Sequence, residues 1–552
     1  MNRREAWLSA GAVFVLALAV RAVAAATVGF PVPEDTAYYA GVARNLVEGR
    51  GLVTDALWSY QTPPLEVPRA AFEVWMPLPT LIAAIPIWLA GAANWFRAAQ
   101  VFSVVVSAIG AALAWRLGAD VAAELKLPVG RARTLAVGTG VVASFLGPLV
   151  VFGALPDSTA LFAALSLAAC LLMTRIAASP PESGAIDRRL IALGLLIGFA
   201  GLTRSEAVWL GLAWLVVAGR WTFGSAGERP SRLERLRLVA VPAAVAAVVF
   251  APWAVRDWIV FGSPLPGQTL ANALSVNATD IFAYRDQPTV AHYLAQGPAA
   301  LLGMRVTGVL HNLFDVLIVP GFPIGFLGLL ALPKCARLHA LRPLVLLAVV
   351  TFLVTGLVFP VSTTWGTFLH SAGAIYVLLI VSCLVALDAF IAWVGRLRHW
   401  WRPVAWLGPA LATAVVVPLM FVSVISIDHQ ADGTRARYEA LPAALDRAGV
   451  PLAANAPIIT DNPIWLAETA HVTALALPEE SPEAVLALAR QFGSRLLIVL
   501  QTDGEREWPG ILSGGGNATQ CFRAVALTDE SGRPPAEGSP LSQIRAFRIV
   551  CS

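Results

Sequence analysis

The sequence predicts an all-α polytopic membrane bundle of about eleven transmembrane segments with a small C-terminal extracytoplasmic α/β domain. Three observations carry that expectation. Of 552 residues, 57% are hydrophobic and 13% charged, with a mean hydropathy of +0.70, whereas a soluble protein carries roughly 25% charged residues. Apolar runs of about 20 residues, the length of a bilayer crossing, recur as far as residue 427. Beyond 428, Asp, Glu, Pro and Gly return and no further run of that length follows. The composition excludes a soluble enzyme, a disordered scaffold and a fibrous repeat, because too little polar surface is left to face water. A net charge of +4 leaves no footprint for nucleic acid. The five cysteines form no CxxC or Cys/His cluster that would indicate zinc or redox chemistry.

Loop charge orders the segments, since cytoplasmic loops hold the excess of Arg and Lys. Arg3 and Arg4 place the N-terminus in the cytoplasm, and the first apolar run, 7–29, is too long for the core of a cleaved signal peptide. It leads to a first outer loop, 30–96. Within that loop the apolar piece 77–91 reads as an interfacial or re-entrant half-helix, because Pro68, Pro77, Pro79 and Pro86 lie in or near it. A full crossing there would put the basic loop with Lys126, Arg131 and Arg133 outside; an ordinary short span is the alternative. Spans follow at 97–118, 133–153 and 158–176. Residues 190–219 lie between Arg175, Arg188 and Arg189 on one side and the basic run 220–237 on the other. They read as a hairpin of two short helices whose tip, Leu202 to Glu206, enters the membrane from the inside. A span at 238–255 leads to a long outer segment, 256–312, whose apolar stretch with Arg305 and His311 lies along the interface. Four more spans, near 314–332, 343–360, 371–394 and 404–427, alternate correctly with basic loops at 334–342 and 396–402.

The chain thus divides into a membrane domain, 1–427, and a soluble unit, 428–552. In the latter, strand-like runs at 457–460, 471–475 and 495–500 alternate with an amphipathic helix at 481–493, the pattern of a small α/β unit. Cys521 and Cys551 are candidates for a disulfide in an extracytoplasmic domain, with two unpaired thiols as the alternative. Cys170, Cys335 and Cys383 read as packing residues.

Charges held at or within a bilayer are costly unless paired or used, so the few present are informative. Glu34 and Asp35 follow the first helix directly. Paired carboxylates at the mouth of a bundle suit general-base work on a hydroxyl, because mutual charge and partial burial raise one pKa. Asp35 could equally cap a helix over 36–48. Asp157, in Pro156-Asp157-Ser158, opens a span on the same side and has the same two readings. Arg204 and Glu206 at the hairpin tip either satisfy each other or present an arginine to a lipid phosphate. Arg256 and Asp257 close the span 238–255 among Trp253 and Trp258. Arg21 lies within the first helix, where snorkelling to the interface is the simple account. His370, in Trp365-Gly366-Thr367-Phe368-Leu369-His370-Ser371, either caps a helix end or touches a ligand. Gly-rich phosphate loops are absent, so a soluble nucleotide donor has no cradle.

Several of these residues form an ordered series: Asp35-Thr36-Ala37-Tyr38-Tyr39 with Glu48-Gly49-Arg50-Gly51, then Leu155-Pro156-Asp157, Gly201-Leu202-Thr203-Arg204-Ser205-Glu206, and Pro252-Trp253-Ala254-Val255-Arg256-Asp257-Trp258. The series resembles the C-type (GT-C) membrane glycosyltransferases, which include protein O-mannosyltransferases and lipid A aminoarabinose transferases. It covers residues 7–265 well and the terminal α/β unit loosely. The resemblance implies transfer, with inversion, of a sugar from a polyprenyl-phosphate donor to a glycan, lipid or protein acceptor at the outer face of the cell membrane. Asp35 matches the position of the family's first-loop carboxylate. The family often has Glu directly after it, where this chain has Thr36 and instead Glu34 before, so either carboxylate could be the base. Arg204, Arg256 and Arg69 are the candidate phosphate-binding cations, with Tyr38, Glu206 and His370 as further substrate-binding candidates and Asp157 as an acceptor-orienting or metal-holding group. No ligand spacing singles out a metal, so the cofactor stays open, with a divalent ion as one candidate. A transporter or lipid flippase would also carry many spans with internal ion pairs, but its sites lie near the midplane on broken helices. A non-catalytic member of the same fold is the third reading.

Overall fold

In a bilayer, an apolar run can satisfy its backbone only internally, which makes it helical. The computed structural model describes residues 3–179, 187–223, 232–265, 268–399, 404–500 and 517–551. Parts of the basic runs 220–237 and 396–402 used above, residues 224–231 and 400–402, lie outside the described residues. Among those described, seven helices are long and apolar enough to cross a membrane, or eight if one bent pair counts as a span. The chain begins with α1 (Arg3–Thr27), followed by α2 (Glu34–Val47) and α3 (Leu78–Ala90) of the first loop and by α4 (Trp95–Glu124). Next come the bent pair α5 (Val129–Phe145) and α6 (Gly147–Ala154), then α7 (Ser158–Ala178), α8 (Arg188–Gly201), α9 (Val208–Phe223) and α10 (Arg232–Phe261). After the short α11 (Gln268–Leu274) and α12 (Val290–Ala295), the second half holds α13 (Gly297–Leu317), α14 (Ile324–Cys335) and α15 (Arg342–Leu357). The short α16 (Pro360–Thr364) and α17 (Thr367–Ser371) lead to α18 (Gly373–Leu397) and α19 (Leu407–Arg447).

Small residues let these helices pack closely where no hydrophobic force separates protein from lipid. Gly194 and Gly198 of α8 face α10, and a Cβ at either would come within 2.7 or 2.8 Å of Val245 and Val249. The break between α5 and α6, bent by 57°, frees carbonyls that need donors. Arg21 supplies them, donating to Ala143 O at 3.1 Å and Ser144 O at 3.2 Å, with Ser107 Oγ at 2.5 Å. It is buried rather than snorkelling, because broken-helix carbonyls replace the water it would otherwise seek.

Two further expectations change. The run expected to cross at 314–332 is interrupted between Leu317 and Ile324, where Gly321 adopts φ 74° and Pro323 is the N-cap of α14. A helix of span length instead occupies Gly297–Leu317, most of it in the segment 256–312 expected to lie outside. The hairpin formed by α8 and α9 is also deeper than expected. Its helices of 14 and 16 residues rise about 21 and 24 Å at 1.5 Å per residue. That length carries the tip to the end of α7 that bears Asp157, where Leu202 O accepts from Leu78 N at 2.9 Å. The apolar piece of the first loop is the 13-residue α3, shorter than a span.

Helix α19 runs unbroken for 41 residues, so it continues from its apolar first part into the C-terminal sheet domain. That unit adds α20 (Leu452–Asn455), α21 (Pro463–Ala470) and α22 (Pro482–Phe492) to a sheet. The first loop holds β1 (Val53–Thr54), β2 (Ala56–Leu57) and β3 (Arg69–Ala70); the C-terminal strands are β4 (Ile458–Thr460), β5 (Ala474–Ala476), β6 (Leu496–Leu500), β7 (Phe522–Val525) and β8 (Ile544–Ile549). Strand order among the described residues is β2-β5-β4-β6-β8-β7, parallel from β2 to β6 and antiparallel thereafter. The first loop therefore supplies the edge strand of the C-terminal sheet. Cys521 and Cys551 form a disulfide, with Cα atoms 5.1 Å apart and a sequence separation of 30. Closing a loop of that length should stabilise the domain by roughly 3–4 kcal/mol on the chain-entropy account. Chemical unfolding of the C-terminal domain should accordingly shift to lower denaturant on reduction, and an unchanged midpoint would show the bond to be dispensable.

Candidate functional site

Helix α2 begins at an N-cap, Pro33, that makes no side-chain capping bond, so Asp35 is not a cap. Its carboxylate, 31% exposed, turns toward His370, with Oδ2 3.9 Å from Nε2. Glu34 points elsewhere: its Oε1 accepts from Trp465 N at 3.4 Å. Burial of the surrounding site raises the Asp35 pKa, and the charge of Arg204 together with a Trp75 hydrogen bond offsets part of that rise.

Asp157 does cap α7, its Oδ1 accepting from Thr159 N at 2.7 Å. The other oxygen, Oδ2, has no hydrogen-bond partner and lies 3.8 Å from His370 Nδ1. Burial pushes this carboxyl up to about 7, against the Thr159 backbone bond that favours the charged form. The charge of Asp35 adds to the rise. His370 sits on α17, which starts after Gly366 in the left-handed region at φ 96°. Its Nδ1 pairs with Thr159 Oγ1 at 2.7 Å. Burial and the nearby Arg204 lower its pKa to about 3, so the ring is neutral at physiological pH. A neutral imidazole thus stands between two carboxylates at distances too long for direct hydrogen bonds.

Arg204 holds the hairpin tip against this group. Nη1 donates to Ser158 Oγ at 3.0 Å and Nη2 to Glu206 Oε1 at 2.6 Å, while the buried Nε has no partner. Of the two sequence readings of the pair, the mutual ion pair is what the structure shows; the guanidinium also acts electrostatically on Asp35, Asp157 and His370.

A second charged group lies behind Tyr38. Arg69 is 1% exposed and donates to Ser59 O at 3.2 Å and Thr62 O at 3.1 Å, with Glu73 Oε1 at 3.5 Å. Arg256 pairs with Asp257 at 2.8 Å and lies 4.7 Å over Trp253 and 5.1 Å over Phe261. Arg69 faces the same Phe261 ring at 5.9 Å. Tyr38 Oη accepts from Phe72 N at 2.7 Å, and its ring meets Phe72 and Trp75. Glu73 is the residue that sequence reasoning missed. Both its oxygens lack hydrogen-bond partners, and burial raises its pKa against the pull of Arg69. The available signal was an acid four residues after Arg69 in an otherwise apolar stretch. Among the described residues no three His, Cys, Asp or Glu side chains converge as a metal site.

The bundle with its terminal sheet and the charged group at one end has the GT-C fold of membrane glycosyltransferases. The chain is similar to ArnT from Cupriavidus metallidurans bound to undecaprenyl phosphate, with a TM-score of 0.53 and 15% identity over 98% of both chains. It is similar to the apo form of that protein with a TM-score of 0.52 and 13% identity, over 100% of this chain and 99% of the other. Similarity to the apo oligosaccharyltransferase of Archaeoglobus fulgidus is weaker, with a TM-score of 0.44, 11% identity, and 88% and 69% of the two chains covered. No protein-family model and no curated protein matches the chain. At these identities the similarities establish the fold alone.

Proposed function

We propose that the protein transfers a sugar from a polyprenyl-phosphate donor to an acceptor hydroxyl, with Asp35 as general base. The observation that carries this reading is the convergence of Asp35, Asp157, His370 and Arg204 at one end of a GT-C bundle whose solved counterpart binds undecaprenyl phosphate. In the step, Asp35 takes the acceptor hydroxyl proton as the oxygen bonds to the anomeric carbon. The bond from that carbon to the phosphate oxygen breaks, its electron pair leaves with the lipid phosphate, and the centre inverts. Asp35 is favoured over Glu34, whose carboxylate is occupied by Trp465 N. Developing charge on the leaving phosphate needs fixed cations. Arg204 with its free Nε, and Arg256 with a single ion pair, supply them; Arg69, 1% exposed, also has an unpartnered Nε, but its Nη1 and Nη2 hold the carbonyls of Ser59 and Thr62 and fix the loop around them. Asp157 and His370 orient the acceptor beside the base.

Undecaprenyl phosphate should therefore raise the thermal stability of the purified protein well beyond uncharged undecaprenol. Equal effects of the two lipids would remove the phosphate site.

The loop charges support a cytoplasmic N-terminus, with the site and the C-terminal domain outside. The three free cysteines are buried, so a single thiol at the exposed Glu439 reports cleanly. Glu439→Cys should react with an impermeant thiol reagent in intact cells, and protection until lysis would reverse the orientation.

A further inference from the structure

Asp35 and Arg44 are nine residues apart on α2, which at about 100° per residue places them on opposite faces, roughly 13 Å apart along the axis. One face looks into the site. On the other, Arg44 Nη2 lies 2.8 Å from Glu468 Oε2 of α21, with both side chains buried at 7% and 5% exposure. The guanidinium also lies 5.1 Å over Trp95 at the start of α4 and 4.0 Å from Glu48. Gly41, on the Arg44 face, leaves room for the carboxylate: a Cβ there would come within 2.3 Å of it. At the other end of α2, Trp465 of the same short α21 donates Nε1 to Pro31 O at 2.8 Å. The chain leaving α2 then enters the C-terminal sheet as β2, paired with β5. The base-bearing helix is thus gripped at both ends by the terminal domain.

We infer that the C-terminal domain sets the position of α2 through the Arg44–Glu468 ion pair, which makes Glu468 a positioning residue for transfer; this rests on the function proposed above. Removing the Glu468 charge takes the nearest counter-charge from a buried arginine and leaves only the exposed Glu48, 4.0 Å away, so Arg44 must turn outward and take the helix with it. The effect reaches the chemistry because a displacement of about 1 Å at a reacting group costs on the order of 10²-fold in rate.

The test uses the full-length protein in lipid nanodiscs. Backbone hydrogen exchange over 36–47 is measured without substrate, and release of undecaprenyl phosphate from undecaprenyl-phosphate-linked mannose and arabinose is measured alongside. In Glu468→Gln, exchange across α2 should speed up at least about 10-fold and kcat should fall about 10- to 100-fold, while KM for the donor stays within about twofold. Glu468→Asp should recover most of kcat. If Glu468→Gln does not fold, Gly41→Ala replaces it: it keeps both charges but pushes the carboxylate aside, and should give the same split. Unchanged α2 exchange, or a lower thermal midpoint with kcat unchanged, overturns the inference. If wild-type protein releases no lipid phosphate from either donor, the exchange measurement alone decides the inference, and donor choice is judged separately.

Discussion

Asp35→Asn should lower sugar transfer by about 10²- to 10⁴-fold, the range a positioned general base supplies. The amide keeps the shape of the carboxyl but cannot accept the acceptor's proton. Because the Asp35 side chain is partly exposed and caps nothing, expression and thermal stability should stay at wild-type levels. A second signature accompanies the loss. Asp35 helps raise the Asp157 carboxyl to about 7, so removing its charge should lower the Asp157 pKa. Glu34→Gln should leave the rate nearly unchanged, since that oxygen serves Trp465. If Glu34→Gln were the crippling change and Asp35→Asn the mild one, the assignment of the base would reverse.

Arg204→Gln is expected to cost about 10²- to 10³-fold in kcat, comparable to removing one fixed donor from a developing charge. The pH profile separates this from simple misfolding. Arg204 lowers the pKa of Asp35. Without it the Asp35 pKa climbs further above the usual carboxylate range, fewer molecules hold the base ionised at a given pH, and the acid limb of kcat/KM moves to higher pH. Raising the pH should restore only the part of the loss that comes from protonation. Arg204→Lys keeps the charge but not the fork that spans Ser158 and Glu206, and should keep the limb near its wild-type position. An unmoved limb in Arg204→Gln would separate Arg204 from the base.

Much of this arrangement is legible in the sequence because charge is scarce. In a chain that is 13% charged, an acid directly after the first helix, an aspartate opening a span and an arginine at a hairpin tip stand out against apolar neighbours. Loop charge predicts one side for Asp35 and Asp157, whereas the approach of Arg204 to Ser158 is seen only once the chain is folded. Other parts are not. Two residues, Ala56 and Leu57, make the edge strand of the C-terminal sheet, and a two-residue strand has no periodicity to detect. The reach of the α8–α9 hairpin to Ser158 is seen only in the fold, where Gly194 and Gly198 of α8 pack against Val245 and Val249 of α10. Arg21 looks like a snorkelling residue until the broken α5–α6 helix gives it carbonyls to hold. Glu73 and Glu468 are ordinary acids in sequence; each becomes conspicuous only when folding buries it beside an arginine from another turn or another domain.

The most direct test is incubation of wild-type protein and Asp35→Asn, reconstituted in vesicles, with a panel of polyprenyl-phosphate-linked sugars, followed by mass spectrometry of the lipid products. The account predicts that wild type converts at least one donor to free polyprenyl phosphate and a transferred or hydrolysed sugar, and that Asp35→Asn converts none. Intact donors throughout the panel, or equal turnover by the two proteins, would contradict it.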